Sequence, residues 1–216
     1  MAIIWPCTDS ASSYAAAGRA VVVPHQRCPS CSRRLVGWGG YWRWLRAPLL
    51  IERIWIRRAR CPICRRSHAL LPDLVLARRL DVVAVIGQAI ARKLAGGVGL
   101  RPIAEQLGVP HTTLRTWWRR FRARSPTLLS RCTVLAVALD GTAVDVHPPA
   151  EGAALEALSI AWLRAQRRFG ADVGGLWAFW TRISSGDGLG TNTTSPWAAR
   201  AGADWMAASA SGGANP

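Results

Sequence analysis

Four cysteines in two C-x-x-C pairs constrain this chain more than any other feature. Cys28 and Cys31 form the first pair, and Cys61 and Cys64 form the second. The two-residue spacing lets both sulfurs of a pair face one side of a tight turn. Two such turns together supply the tetrahedral sulfur set that zinc prefers. Because four protein ligands leave no open coordination position, the sequence predicts one structural Zn²⁺ ion.

Two alternatives for these cysteines are a disulfide pair and a thioredoxin-like redox site. Disulfides are rare in the cytoplasm, and a redox motif is expected once, within a βαβ unit. Zinc is therefore favoured, although Ser32 and Arg65 stand where zinc ribbons usually have glycine after the second cysteine. His68 is expected to be structural or to face a phosphate. Cys7 and Cys132 are expected to be ordinary small residues.

The segment between the two cysteine pairs predicts a β-hairpin. Trp42 and Trp44 precede a turn near Ala47. After this turn, the isoleucines at positions 54 and 56 alternate with Arg53, Trp55 and Arg57. This alternation is typical of a half-exposed strand. The hairpin would carry the second cysteine pair back beside the first, so residues 25–72 are predicted to form a zinc ribbon.

Residues 73–125 have the apolar spacing of a helix-turn-helix with a three-helix core. The residues predicted to face this core are Ile103, Leu107, Val109, Leu114 and Trp117. Ala104 allows the two helices to cross closely, and Gly108 stands at the turn, where a positive φ is often required. Upstream, Asp81 is predicted to cap a further helix that ends near Gly96.

The second helix of this motif is predicted to read DNA. If it begins near Pro110, the side chains that face away from the core are those of His111, Thr112, Thr113, Arg115, Thr116 and Arg119. The first residues would approach base edges in the major groove. Phosphate contacts are predicted for Arg119, Arg120, Arg122 and Arg124. The alternative is a three-helix bundle with a solvated arginine face, which the register of apolar residues disfavours.

The distribution of charge indicates a polyanionic partner. The chain has a formal charge of +16, and residues 27–124 hold 21 basic side chains against four acidic ones. A field of this size within one segment favours double-stranded DNA, although charge can also serve solubility alone. Neither a signal peptide nor a stretch long enough to cross a membrane is evident. We therefore expect a cytoplasmic, nucleoid-associated protein without a membrane partner.

The remaining segments carry weaker signals. Residues 1–24 are predicted to form a loosely structured leader. Residues 126–170 are predicted to form a helical extension, in which one helix opens at Ser125-Pro126 and closes at Gly141. Residues 171–216 are predicted to form a tryptophan-containing, partly disordered tail. The tryptophans of this tail are expected to pack on the helices or to bind a protein partner. The predicted fold is therefore mainly α with a small β zinc ribbon.

The cysteine pairs and the helical motif resemble transposase-type proteins of GC-rich bacteria. The resemblance covers roughly residues 25–125 and includes the arginine-rich strand before Cys61 and the segments 101–107 and 114–121. It implies recognition of transposon ends or an accessory role in transposition, with a transposase as a candidate protein partner. Three alternatives stay open: a transcriptional regulator, a fragment or decayed copy of a catalytic transposase, and a protein-binding scaffold.

Catalysis is not expected. A transposase of the RNase H type needs three separated carboxylates that hold two metal ions. Asp140 follows an apolar segment, as the first of these carboxylates would, but only 76 residues come after it. Asp140 and Asp145 are therefore predicted to be turn residues.

Overall fold

The computed structural model describes residues 2–48, 50–77 and 79–184. About half of these residues are helical, and a four-stranded sheet lies in the N-terminal part. The strands are β1 (Ala2–Trp5), β2 (Val36–Ala47), β3 (Leu50–Arg60) and β4 (Ser67–Pro72). The helices are α1 (Ala11–Ala17), α2 (Val83–Leu94), α3 (Leu100–Gln106), α4 (His111–Asp140), α5 (Ala150–Phe169) and α6 (Leu176–Ile183). The prediction of a mainly helical chain with a small β unit is confirmed.

The sheet has the strand order β1-β4-β3-β2, and β2 and β3 form the predicted antiparallel hairpin. On β3, Ile54 and Ile56 are fully buried and alternate with the exposed Arg53, as the sequence pattern indicated. The β2–β3 pairing is irregular before Gly40. A Cβ atom at Gly40 would lie 2.5 Å from the carbonyl oxygen of Ile56 and 2.6 Å from the Trp55 ring. Glycine therefore allows the two strands to approach closely at this point.

The prediction that residues 1–24 are loosely structured is wrong. The first strand, β1, pairs in parallel with β4, and Trp5 on this strand is buried. Helix α1 begins where the Ser10 side chain accepts a hydrogen bond from the N–H of Ser13 (3.1 Å). Tyr14 on α1 is fully buried, and its hydroxyl donates to the carbonyl oxygen of Trp55 (3.1 Å). This segment therefore belongs to the same core as the hairpin.

Helices α2, α3 and α4 contact one another. Most of the residues expected to face a shared core are buried, namely Ile103, Ala104, Val109, Leu114 and Trp117, whereas Leu107 is half-buried. Gly108 connects α3 to α4 with a φ of 64°, a conformation that glycine adopts without steric cost.

The predicted capping role of Asp81 is wrong. Helix α2 begins at Val83, and no side chain caps it. The buried Asp81 carboxylate instead accepts a hydrogen bond from Nε of Arg46 on β2 (2.6 Å). This ion pair connects the end of the hairpin to the start of α2.

The predicted break between helices at Ser125-Pro126 is also wrong, because α4 continues through Pro126. Proline inside a helix costs about 3 kcal/mol, since it removes one backbone hydrogen bond and crowds the preceding turn. Beyond it, Leu128 and Leu139 are buried, and burying a leucine contributes roughly 1.5–3 kcal/mol. Packing of this second half of α4 against α5 therefore outweighs the cost of the proline.

A buried arginine on α5 anchors the C-terminal end of α4. The guanidinium of Arg164 donates to the carbonyl oxygens of Ala136 (2.9 Å), Thr142 (2.7 Å) and Ala143 (3.1 Å). It also forms an ion pair with Asp140 at 2.8 Å. The guanidinium therefore supplies donors to one carbonyl in the last part of α4 and to two carbonyls just beyond its end, which ties the loop after α4 to α5.

The described part of the predicted tail packs on the helices. Phe179 and Trp180 on α6 are buried, and the Trp177 ring lies where a side chain at Gly87 on α2 would stand. The other tail tryptophans and the stretch predicted to be disordered belong to residues 185–216, which lie outside the described residues. Within the described ranges, none of the helices combines the length and apolar composition needed to cross a bilayer.

Candidate metal centre and nucleic-acid interface

The hairpin brings the four cysteines of the two C-x-x-C pairs together. All four Sγ atoms lie within 4.8 Å of one another, with Cys28–Cys64 at 3.5 Å and Cys31–Cys61 at 3.4 Å. These distances exceed the ~2.0 Å of a disulfide bond, so the thiols are free. Zinc–sulfur bonds of about 2.3 Å in a tetrahedron separate the sulfurs by about 3.8 Å. The cluster can therefore hold a tetrahedral metal ion such as zinc.

The two cysteine turns have the same backbone hydrogen bonds. In each, the N–H of the first cysteine donates to the carbonyl five residues later, at 2.8 Å for Cys28 and 2.9 Å for Cys61. The N–H four residues later donates back to the carbonyl of that cysteine, at 2.8 and 3.1 Å. This equivalence orients both pairs toward a common centre.

The residue after the second cysteine has a left-handed backbone in both turns. Its φ is 57° at Ser32 and 61° at Arg65, and these are the only non-glycine residues with positive φ among the described ones. The left-handed conformation costs a residue with a Cβ atom about 1–2 kcal/mol. Zinc ribbons usually have glycine at this position, and this chain has serine and arginine instead. The backbone of both turns is therefore strained at the residue after the second cysteine.

This strain predicts how substitutions at Ser32 affect metal binding. We expect Ser32→Gly to bind zinc at least as tightly as the unmodified chain, because glycine adopts a positive φ freely. Ser32→Val should weaken zinc binding by on the order of tenfold, because a β-branched side chain opposes this conformation. Competition with a chromophoric chelator measures both affinities. Equal affinities for the two variants would contradict the proposed strain.

The surroundings of Cys61 favour the thiolate form that binds metals. Burial alone would raise the pKa of Cys61, but the N–H of Cys64, the Cys31 side chain and the N–H of Ile63 lower it to about 6. The N–H of Arg33 lowers the pKa of Cys31. The hydrogen bond between Cys31 and Cys61 and the desolvation of Cys31 outweigh this effect and raise the pKa of Cys31 to about 11. The Cys31 thiol thus donates to the Cys61 thiolate, and a metal ion would take the place of that proton.

His68 lies beside the cysteine cluster. It is 1% exposed, and its Nε2 is 4.0 Å from Sγ of Cys28. In the tautomer that carries the proton on Nε2, the ring donates to the thiolate, as side chains surrounding metal ligands often do. Because His68 is buried, it cannot contact a phosphate group, which was one of the two roles predicted from the sequence. The other predicted role, a structural one, agrees with its position beside the cluster.

The start of α4 exposes some of the predicted DNA-binding side chains more than others. The exposed ones are His111, Thr112, Arg115 and Arg119, and the half-buried ones are Thr113, Thr116, Arg120 and Arg124. The Thr116 hydroxyl donates to the carbonyl oxygen of Thr112 (2.9 Å) and is therefore already engaged within the helix. The exposed side chains thus concentrate in the first two turns and at Arg119.

Arg122, one of the predicted phosphate contacts, forms an ion pair with a residue of α5. Its Nε donates to the Glu151 carboxylate at the start of α5 (2.7 Å), which lowers the pKa of Glu151. A groove of about 400 Å³ lies beside this pair, and its lining includes Arg115, Trp118, Arg119 and Arg122 of α4 and Glu151 of α5. This pairing could not be predicted from local patterns, because Glu151 lies 29 residues from Arg122 in the chain.

The carboxylates considered for catalysis have structural surroundings. Asp140 ends α4, accepts a hydrogen bond from the N–H of Thr142 (3.0 Å) and pairs with Arg164. Both contacts lower its pKa, the N–H of Thr142 contributing more. Asp145 is exposed in the following loop. Within the part of the chain that the structure describes, the four cysteines are the only group of three or more potential metal ligands.

Comparison with known proteins adds a family match without a function. Residues 28–117 match the model of a domain of unknown function (DUF6431). The matched region begins at the first cysteine of the cluster and ends in the second turn of α4. It therefore includes the cluster, the hairpin, α2, α3 and the start of α4 as one unit. No curated protein and no solved structure matches the chain.

Proposed function

We propose that this protein binds double-stranded DNA sequence-specifically through α3 and α4 acting as a helix-turn-helix. The cysteine cluster would hold one structural Zn²⁺ ion that stabilises the adjoining sheet. The observation that carries the proposal is that the start of α4 is amphipathic. Leu114 and Trp117 are buried there, while His111, Thr112 and Arg115 are exposed on the opposite side.

The exposed side chains have the chemistry of base recognition. An arginine guanidinium can donate two hydrogen bonds to guanine, and threonine can contact either a base edge or the thymine methyl group. In a helix-turn-helix, the N-terminal residues of the second helix contact base edges in the major groove. Arg115 and Thr112 occupy that part of α4, which supports a role in reading sequence.

The surroundings of α4 supply phosphate contacts. Its first turn has no side-chain cap, so the N–H groups of His111 and Thr112 and the positive end of the helix dipole can face an anion. The groove beside Arg119 adds further guanidinium groups. Together with the basic charge of residues 27–124, these groups favour a polyanion along this surface.

The biological setting of this activity is also a proposal. The resemblance to transposase-type proteins supports recognition of transposon ends or an accessory role in transposition, and a transcriptional regulator would use the same surface. The proposed activity is binding rather than catalysis, since Arg164 engages Asp140. A protein partner for the C-terminal tail stays a prediction, because residues 185–216 lie outside the described residues.

Arg115→Ala tests the proposed function. We expect it to weaken binding to a preferred duplex by roughly 1–3 kcal/mol while binding to unrelated duplexes hardly changes. Arg119→Ala should instead weaken binding to all duplexes and reduce the salt dependence, as loss of a phosphate contact does. Fluorescence anisotropy with labelled duplexes at several salt concentrations measures both effects.

The matched control is Arg167→Ala, which removes an equally charged, exposed side chain from α5. We expect this variant to bind like the unmodified protein. If Arg115→Ala and Arg167→Ala lower the affinity for every duplex equally, α4 contributes only charge, and the proposal is wrong.

A further inference from the structure

The β2–β3 hairpin exposes aromatic side chains that the core does not use. Trp38 is 51% exposed and Trp44 is 55% exposed, whereas Tyr41 and Trp42 are 40% and 37% exposed. Large aromatic side chains are normally buried because leaving them in water forgoes the free energy of burial. A cluster of them on one hairpin therefore indicates a binding surface.

Arginines lie over these rings. The guanidinium carbon of Arg60 is 4.6 Å from the ring centroid of Trp38. Arg53 lies between two rings, 5.6 Å from the centroid of Trp42 and 6.0 Å from that of Trp44. Cation–π contacts at exposed sites contribute about 0.5–1 kcal/mol each, so they hold the arginines near the rings without consuming their hydrogen-bond donors.

The charge around this surface is strongly positive. Residues 25–72 contain 11 arginines and one acidic residue, Glu52. In the hairpin register Glu52 is opposite the fully buried Leu45, whereas Arg53 is opposite Trp44. Successive residues of a strand point to opposite faces, so Glu52 and the Arg53–Trp44 pair lie on different faces. The aromatic surface on the face of Arg53 consists of Trp42 and Trp44, and it complements a polyanion.

The contact between Trp38 and Arg60 belongs to the other face. Arg60 is opposite Val36 in the register and lies on the same face of β3 as Glu52. The binding surface is therefore limited to the rings that Arg53 contacts.

We propose that this surface binds unpaired nucleotides of single-stranded DNA. Bases would stack on Trp42 and Trp44, which are alternate residues of β2, and Arg53, which lies over both rings, would contact the phosphates. Stacking on a flat ring requires an accessible base face, and in a duplex neighbouring base pairs cover those faces. Alternate residues of a strand are on the order of 7 Å apart, comparable to the spacing of nucleotides in an extended single strand.

This activity is separate from duplex recognition by α4 and does not depend on it. The two surfaces would suit a DNA in which unpaired nucleotides adjoin a duplex, as at a frayed or processed end. Loss of one activity should therefore leave the other in place.

The test is binding of the zinc-loaded protein to a labelled oligothymidylate of about 12 nucleotides, which forms no duplex. The unmodified protein should bind, and its tryptophan fluorescence should be quenched. Replacing both Trp42 and Trp44 by alanine should weaken binding at least tenfold, since each stacked base contributes about 1–3 kcal/mol. Replacing both by phenylalanine should retain much of the affinity, because a stacking ring remains.

Two controls separate stacking from other effects. Ile51→Ala removes an apolar side chain that is 64% exposed at the hairpin turn and should leave binding unchanged. Arg115→Ala should also leave oligothymidylate binding unchanged. Zinc content and circular dichroism establish that each variant is folded.

Three results would overturn the inference. One is absence of oligothymidylate binding at low ionic strength. Another is unchanged affinity in the folded Trp42→Ala, Trp44→Ala variant. The third is an equal loss of duplex and single-strand affinity in that variant, which would make the surface a general contact for nucleic acid.

Discussion

Replacing Cys61 by serine is expected to abolish zinc binding and to unfold the sheet. The Cys61 sulfur is fully buried in the cluster, and the hydroxyl of serine does not ionise near neutral pH. Binding of structural zinc contributes an apparent ~10–16 kcal/mol in small zinc domains, which exceeds the stability of most domains. Strand β3 ends at the second cysteine turn and β4 begins just after it, so both strands lose their anchor.

Metal analysis and circular dichroism measure this effect. The unmodified protein should contain about one zinc ion per chain, and Cys61→Ser should contain none and lose its strand signal. The control is Cys7→Ser, which alters a half-buried cysteine outside the cluster and should retain zinc. A Cys61→Ser protein that keeps both metal and fold would show that the cluster is not a metal site.

Arg164→Leu is expected to destabilise the α4–α5 unit by about 1–3 kcal/mol. Arg164 is 8% exposed, and its guanidinium contacts three backbone carbonyl groups and the Asp140 carboxylate. Leucine fills a similar volume but donates no hydrogen bond. The loss therefore removes a donor from the buried carbonyl of Ala136 and from the partly buried carbonyls of Thr142 and Ala143, just beyond the end of α4.

Urea unfolding of the zinc-loaded protein, followed by the helical circular dichroism signal, measures this change. Arg167→Leu is the matched control, because Arg167 has the same charge on the same helix but is exposed. Its stability should change by less than about 0.5 kcal/mol. If the two variants unfold at the same urea concentration, the Arg164 contacts do not stabilise the fold.

Short-range patterns in the sequence predicted the parts of the molecule that depend on spacing. The two C-x-x-C pairs converge, the hairpin forms between them, and Ile103 and Leu114 are buried. Each of these features follows from a local repeat or motif. The left-handed conformation at Ser32 and Arg65 also had a signal, since glycine usually follows the second cysteine of such pairs.

Features that depend on distant residues were not predicted. Strand β1 forms because it pairs with β4, some 67 residues later, and its own four residues carry no detectable period. Helix α4 passes through Pro126 because α5 packs against its second half. The pairing of Arg122 with Glu151 likewise arises from the contact between α4 and α5. These outcomes depend on tertiary packing, which local propensities do not encode.

Selection of bound duplexes from a random pool tests the central claim most directly, if it is carried out in parallel with the zinc-loaded protein and its Arg115→Ala variant. The account predicts that the protein enriches one sequence motif. The variant should enrich the same motif with the preference relaxed at one or two neighbouring positions, because α4 would no longer read those bases. Enrichment of no motif, or of an identical motif by both proteins, would contradict base recognition by α4.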